Sequence, residues 1–506
     1  MLEYLKNIKI DKKDMLKYIC FGLGIFMMVN NLCHSGLWGD EWCEYDFSQW
    51  PFTGGDYNFY YIVTHTYQPP LYNFVMHFWL MISSSVVWFR LFNLIPGIIS
   101  LIALYKTVKE LIGIELYASL SVVALSCCYQ WIYFVQECAE YCLMLMFLFL
   151  SLLYWIRLVK GKCATSKEVI RYYILFMLMI VGAIYSQYGA AIVGLPLIII
   201  VYVKSLEYIK DKHVFMRIQA IFACGAALGL LLFWFFLRIQ TARMQDVYNY
   251  HLRNLSMDML GNLMTNMGKV IHWILHFPDN SIILFACIIV GIVILLYSCC
   301  CIYRYRGGTI QSRLMIAFLS TYVFHYLLVA KMLYARGQIE ARYSLFFLPI
   351  LTLVLVVIIN NIVKIVNNSR ILLFCLAILV VVPLSISAAF ILQNWNKAYD
   401  NDIAKIWSQH VTEEDYGELI YFCGYPSYPI KYYTEQYGFD YSLVTKNMTD
   451  VEISNETVFD DRFWLWRTGW SNENYDSLIE AVEKEGYKTE VFLDYGEKGA
   501  IVYCSR

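Results

Sequence analysis

The chain is divided into long apolar runs, each roughly 17 to 24 residues and nearly free of charge, the length that crosses ~30 Å of hydrocarbon. Backbone in lipid has no water to bond, so such runs must fold as helices or as a closed barrel, and runs this long and uniformly apolar fold as helices. Of 506 residues, 59% are hydrophobic and only 16% are charged, whereas a soluble chain is about a quarter charged. The first run, from about Tyr18 to Cys33, has no small-residue cleavage site and is succeeded by further spans, so it is expected to be retained.

Charge sets the orientation. The basic clusters are Lys6 to Lys17, Lys106 with Lys109, Arg157 to Arg171, Lys204 to Arg217, Arg304 to Arg313, and Lys364 with Arg370. Positive loops face the cytoplasm, so successive clusters should enclose two crossings each. Spans near 18–34, 90–109, 115–134, 139–157, 172–187, 189–206, 217–238, 281–303, 314–332, 343–363 and 371–392 satisfy that parity. The segment Pro70 to Phe89 would break it. It opens on two prolines, contains His77, and is expected to lie along the outer surface. The reading is an α-helical polytopic membrane protein with about eleven transmembrane helices, in the cytoplasmic (plasma) membrane, N-terminus inside and C-terminus outside.

The chain then divides into two domains: a membrane-embedded domain over 1–394, with interfacial helices at about 38–89, and an outer soluble domain over 395–506. The outer domain has about twice as many carboxylates as bases and reads as mixed α/β. Expected there are strands at Leu419 to Tyr425, Phe463 to Arg467, Glu490 to Asp494 and Ala500 to Cys504. Helices are expected around Ile430 to Tyr437 and over Asn474 to Glu485. No basic patch suits nucleic acid. Most of the 16 cysteines lie in apolar runs and act as small hydrophobes. Cys423 and Cys504 share the outer domain and could pair.

Carboxylates at the edge of a span are expensive, which makes them functional candidates. Asp40 and Glu41 come directly after the first span, where the plain alternative is a solvated loop start. Glu137 lies between two apolar runs with almost no loop to hydrate it, or else it is a helix-end carboxylate among headgroups. Gln68-Pro69-Pro70-Leu71-Tyr72 reads either as a helix start, since proline suits the first turn, or as a binding motif. Arg342-Tyr343 at the start of a span is an interfacial anchor or a phosphate ligand. His251, His272 and His276 lie in the loop 239–280 with no nearby carboxylate, so a packing role is expected over a metal site.

In their order, these elements resemble one family. The acidic pair after the first span, Gln68-Pro69-Pro70-Leu71-Tyr72 leading into an apolar helix, and Arg90-Leu91 opening the next span form the first part. Gln136-Glu137 with Tyr141, and Arg342-Tyr343 near the penultimate span, complete it. The arrangement is similar to the GT-C glycosyltransferases of the protein-mannosyltransferase and aminoarabinose-transferase type, family 39-like, over essentially the whole membrane part. The outer domain adds Tyr432-Tyr433 after a strand. The resemblance implies an inverting transferase that moves a sugar from a polyprenyl-phosphate donor to a glycan, lipid or protein acceptor at the outer face. It implies Asp40 as base, Glu41 or Glu137 shaping the acceptor side, and Arg342, Tyr343, Arg90, His65 and Gln68 around the donor phosphate. Gln68 stands where the family often has His or Lys, Tyr67 where some members have a metal-binding Glu, and Ala139 where an Arg is usual. No cofactor is required on this reading, and a divalent metal is not supported.

Two other functions fit a polytopic chain. A transporter or flippase of lipid-linked sugars would place ionisable or Gly/Pro-broken spans at the midplane, often with repeats. Here the ionisable residues gather at the outer edge. An O-antigen ligase or polymerase would place Arg and His in one large outer loop, leaving Asp40-Glu41 unexplained.

Overall fold

The computed structural model describes residues 12–32, 37, 39–49, 60, 64, 66, 68–161, 165–248, 263–333, 341–366, 369–393, 407, 419–423, 432, 445–448, 461–468, 475–494 and 499–506. These fall into two compact units. The first comprises Met1–Asn30, Trp50–Trp79 and Arg90–Asn394; the second comprises Asn31–Gln49, Leu80–Phe89 and Trp395–Arg506.

The chain begins with α1 (Lys12–Val29), the acidic helix α2 (Gly39–Phe47), α3 (Leu71–Leu80) and α4 (Val86–Leu91). Next come α5 (Leu94–Ile112), α6 (Glu115–Ser126), α7 (Tyr129–Gln136), α8 (Tyr141–Lys160), α9 (Ser166–Ser186) and α10 (Ala190–Ser205). Helix α11 (Lys212–Leu232) passes through a π-helical turn, Phe233–Leu237, into α12 (Arg238–Tyr248). After it come helices α13 (Leu263–Leu275), α14 (Ser281–Tyr305) and α15 (Ile310–Leu333). A 3-10 segment, Ala341–Phe347, leads into α16 (Leu348–Val366), and α17 (Arg370–Gln393) comes last in this part.

Among the described residues, eight helices are long and apolar enough to cross a membrane, or nine if α6 and α7 form one span. The two other expected crossings coincide with α1, apolar over Met15–Val29, and with α15. The expected straight span at 115–134 is instead α6 and α7, bent by 66°. Pro70 to Phe89 is not one helix either. Its first part, α3, has ten residues, too few to cross. The Ser83-Ser84-Ser85 run then breaks the chain, and Ser85 Oγ accepts the Trp88 N–H at 3.3 Å. The next apolar helical stretch therefore starts at Val86, and Arg90 lies a turn inside it rather than at its opening.

Ion pairs order the bundle. Glu110, at the end of α5, receives Arg157, at the end of α8, at 2.5 Å, and Lys160 bonds the Glu110 carbonyl. These two helices thus end at the same side, as the parity of the basic clusters requires. The bend between α6 and α7 is enclosed by protein: the Tyr129 N–H donates to Ser387 Oγ of α17 at 2.9 Å, and the Cys128 thiol meets the Ile274 carbonyl at 3.4 Å. His276 stacks on Tyr129 with centroids 4.0 Å apart and planes 12° from parallel. Burial lowers the pKa of this imidazole. Helices α13 and α14 cross backbone to backbone, since a Cβ at Gly268 would lie 2.3 Å from Ile288 Cα. Small residues permit such approaches where packing, not hydrophobicity, drives helix association.

In the second unit, β1 (Leu419–Cys423), β2 (Thr445–Met448), β3 (Arg462–Thr468), β4 (Lys488–Asp494) and β5 (Gly499–Ser505) form a mixed sheet in the order β2-β1-β3-β5-β4. Helix α18 (Tyr475–Lys484) precedes β4. The central strands bury Phe463, Leu465, Trp466, Ile501 and Val502. The four expected strands and the helix near 474–485 are present, and β2 is an addition. The helix expected around Ile430 lies outside the described residues except for Tyr432. A Cys423–Cys504 pairing is excluded. Cys504 is free, and β3 separates the two strands, with Cys423 opposite Arg467 and Cys504 opposite Phe463. Two strand spacings and four residues of register put them roughly 16 Å apart, beyond disulfide reach.

Candidate functional site

In the first unit the site forms where helices end. Gln136, the last residue of α7, donates its amide to the carbonyls of Met28 at 2.9 Å and Asn30 at 2.8 Å. A helix leaves its last carbonyls unpaired, so one glutamine caps the end of α1 from another element. Asn93, at the break between α4 and α5, donates its side chain to the Glu137 carbonyl, and its own carbonyl accepts the Cys142 thiol at 3.3 Å. The linker from Gln136 to α8 is therefore tied to α1, to α5 and to its own next helix. Its two carboxylates are buried, Glu137 at 2% exposure and Glu140 at 1%, and Arg90 on α4 is also at 2%. Charges this deep in a membrane chain are costly unless they are paired or used.

A second line of contacts runs through Gln240. The π-helical turn adds a residue to the helical register and re-aims the side chains beyond it, as such turns do near functional sites. On its far side, Gln240 is buried. It donates to the Gln68 carbonyl at 2.9 Å and accepts the Tyr188 hydroxyl at 2.9 Å. One turn further on, Arg243 has a buried Nη1 without a hydrogen-bond partner among the described residues. Tyr188 precedes Gly189, whose lack of a side chain admits the Phe346 ring: a Cβ there would lie 2.7 Å from it. Phe346 belongs to the 3-10 segment of Arg342, which packs against α8, α10, α13 and α15. Buried His325 of α15 holds the same segment through Ser344 Oγ at 3.2 Å.

In the second unit, α2 carries Asp40, Glu41, Glu44 and Asp46 and no base. Carboxylates in a first helical turn are stabilised by the backbone dipole, which favours Asp40 and Glu41 there. Asp40 is half-buried, while Glu41 and Glu44 are buried. Trp42 and Tyr45 form the opposing apolar face, and the Tyr45 hydroxyl donates to the Ser84 carbonyl at 2.6 Å.

Glu137, Arg90, Gln68 and Arg342 thus all belong to the first unit, where Asn93 links the α4–α5 break to Glu137. Gln240, Tyr188 and Gly189 link Gln68 to the segment of Arg342, which is half-buried. Asp40 and Glu41 belong to the second unit. His65 and the side chain of Tyr343 lie outside the described residues, as does His251. Sequence reasoning overlooked Glu140, Gln240, Arg243, Asn93 and Glu44. Only Glu140 and Glu44 had a visible signal, as carboxylates one turn from candidates already chosen. No group of three or more His, Cys, Asp or Glu among the described residues could hold a metal ion.

Residues 67–237 match the family described as dolichyl-phosphate-mannose-protein mannosyltransferase. None of the curated proteins matches the sequence. Among solved structures, ArnT from Cupriavidus metallidurans bound to undecaprenyl phosphate superposes with a TM-score of 0.55 at 13% identity, covering 97% of either chain. The Archaeoglobus fulgidus oligosaccharyltransferase, tethered to an acceptor peptide containing the NVT sequon, gives 0.50 at 12% identity, covering 95% of this chain and 69% of that one. At such identities the likeness is one of fold, and the fold agrees with the motif order along the membrane part. The chain is a multi-pass membrane protein with the GT-C fold of these structures, and its residues 67–237 are similar to the mannosyltransferase family.

Proposed function

We propose that the protein transfers a sugar from a polyprenyl-phosphate donor to an acceptor at the outer membrane face, with inversion at the anomeric carbon. The observation that carries this reading is the burial of Arg90, Glu137 and Glu140 at helix ends that Asn93 ties together through the Glu137 carbonyl, with Arg342 on a segment packed against α8. In the reaction, the acceptor oxygen attacks the anomeric carbon opposite the phosphate. The carbon–oxygen bond to phosphate breaks, its electron pair leaves with the polyprenyl phosphate, and the acceptor proton passes to Asp40. Arg342 and Arg90 stabilise the charge that develops on the leaving phosphate, and Arg243 adds a third cation on the Gln68 side. Glu41 and Glu137 shape the acceptor side. The N-terminus lies inside; residues 395–506 form an outer domain that contributes to acceptor choice.

The test is transfer from a synthetic polyprenyl-phosphate sugar, scored beside donor affinity. Asp40→Asn keeps size and hydrogen bonding but removes basicity, so turnover should fall ~10²-fold or more with donor binding retained. Glu41→Gln should cost less. Near-normal transfer by Asp40→Asn would pass the role of base to Glu137. Translocation of the lipid-linked sugar without transfer would instead favour a flippase.

A further inference from the structure

Helix α2 has nine residues, four of them acidic and none basic. Isolated helices this short are marginal in water, and neighbouring carboxylates repel, so α2 needs outside support. Tyr432, from the C-terminal part of the chain, supplies it. Its ring lies 5.2 Å from Trp42 at 51° and 5.6 Å from Tyr45 at 88°. Trp42 and Tyr45 are themselves edge to face at 5.6 Å, and Phe89 completes the group at 5.4 Å from Tyr45. The backbone of Val86 engages the Tyr432 hydroxyl, whose pKa burial raises. These residues all belong to the second unit. Edge-to-face rings fix mutual orientation as well as distance. At ~100° per residue, Asp40 stands on the face of α2 roughly opposite the edge that Trp42 and Tyr45 present. Fixing one face of so short a helix fixes the other.

We propose that Tyr432 is a positioning residue: it clamps α2 through Trp42 and Tyr45 and thereby sets the height and rotation of Asp40. Its catalytic consequence rests on Asp40 being the base; the clamp itself does not. Segments far apart in sequence are joined here, so the C-terminal region takes part in building the acidic site as well as meeting acceptors.

The experiment uses the full-length protein in lipid nanodiscs and compares Tyr432→Ala with Tyr432→Phe, which keeps the ring. Amide hydrogen exchange over 40–47 should quicken by ~10-fold or more in the alanine variant, stay near wild type in the phenylalanine variant, and leave α8 unchanged. Transfer kinetics should show turnover reduced by ~10-fold or more with the donor KM unchanged, again rescued by phenylalanine. Should the alanine protein fail to fold, Tyr432→Leu keeps the bulk and is read in the same way. Unchanged exchange over 40–47 overturns the clamp. Quickened exchange with unchanged turnover overturns its positioning role. If the wild-type protein transfers no sugar, the proposed function fails, while the exchange comparison still decides the clamp.

Discussion

At the scale of single residues, the proposed donor contacts fall to cations and the observed cross-links to amides. Arg342→Ala should weaken binding of polyprenyl-phosphate compounds, because a desolvated phosphate loses a charge-assisted partner. Lysine should rescue only in part, having no planar fork. Titration of purified variants with a short-chain polyprenyl phosphate measures both, and full affinity in Arg342→Ala would return this residue to an anchoring role. Gln240→Ala removes two part-buried hydrogen bonds at once, to Gln68 and from Tyr188. At roughly 1–3 kcal/mol for each group left unpaired, thermal stability should drop and donor KM should rise in the same protein. A rise in neither would mean that the Gln68 loop is held by other contacts. The charged candidates could be chosen from the sequence because a carboxylate or arginine between apolar runs is costly and stands out. Gln240 and Asn93 could not, because an amide in sequence says nothing about which carbonyl it will meet. Gln240 finds Gln68 172 positions away.

Among elements, length and apolarity identified the helices well, and breaks within them poorly. The 66° bend falls at Cys127-Cys128, residues that read as apolar and give no glycine or proline signal. Strand β2, Thr445–Met448, escaped because Thr-Lys-Asn-Met shows no alternation; it is an edge strand held by parallel backbone pairing to β1. Strands β3 and β5 were clear because both are rich in the aromatic and β-branched residues that suit a sheet. The crossing of α13 over α14 gives a sharp test. A side chain at Gly268 meets backbone at Ile288, which cannot rotate away. Gly268→Val should therefore cost ~1–3 kcal/mol as overpacking, read as a lower unfolding midpoint in detergent, while Gly229→Val, with open space around it, should cost much less. Equal midpoints for the two variants would contradict the close crossing.

For the whole molecule, the expected topology rests on the distribution of lysine and arginine. A reporter fused after Lys109 should be cytoplasmic, and one after Glu137 should be outside. Finding the Lys109 fusion outside would overturn the parity of the basic clusters. The Glu110–Arg157 pair brings the ends of α5 and α8 to one side, so a fusion after Arg157 should report the same compartment as the one after Lys109. The composition of the second unit was not legible. It gathers residues 31–49 and 80–89 with 395–506, and local composition carries no record of such partnerships. Aromatic residues such as Trp42 and Tyr432 look like ordinary apolar positions until they meet.

The enclosed bend also bears on how the protein is made. The Tyr129 N–H opens a half-helix and is capped by Ser387, 258 positions later in the chain. Among the described residues, 6% of the apolar stretch of α17 is buried, so the Ser387 contact is a large part of what ties it to the bend. During synthesis the bent pair reaches the bilayer long before its cap exists, and an unpaired amide in hydrocarbon costs several kcal/mol. Assembly of this span therefore finishes only when the last helix arrives, which makes α17 a closing piece. Ser387→Ala should slow maturation, visible as prolonged protease sensitivity around residue 129 in pulse-chase, and a chain ending before Arg370 should remain in that immature state.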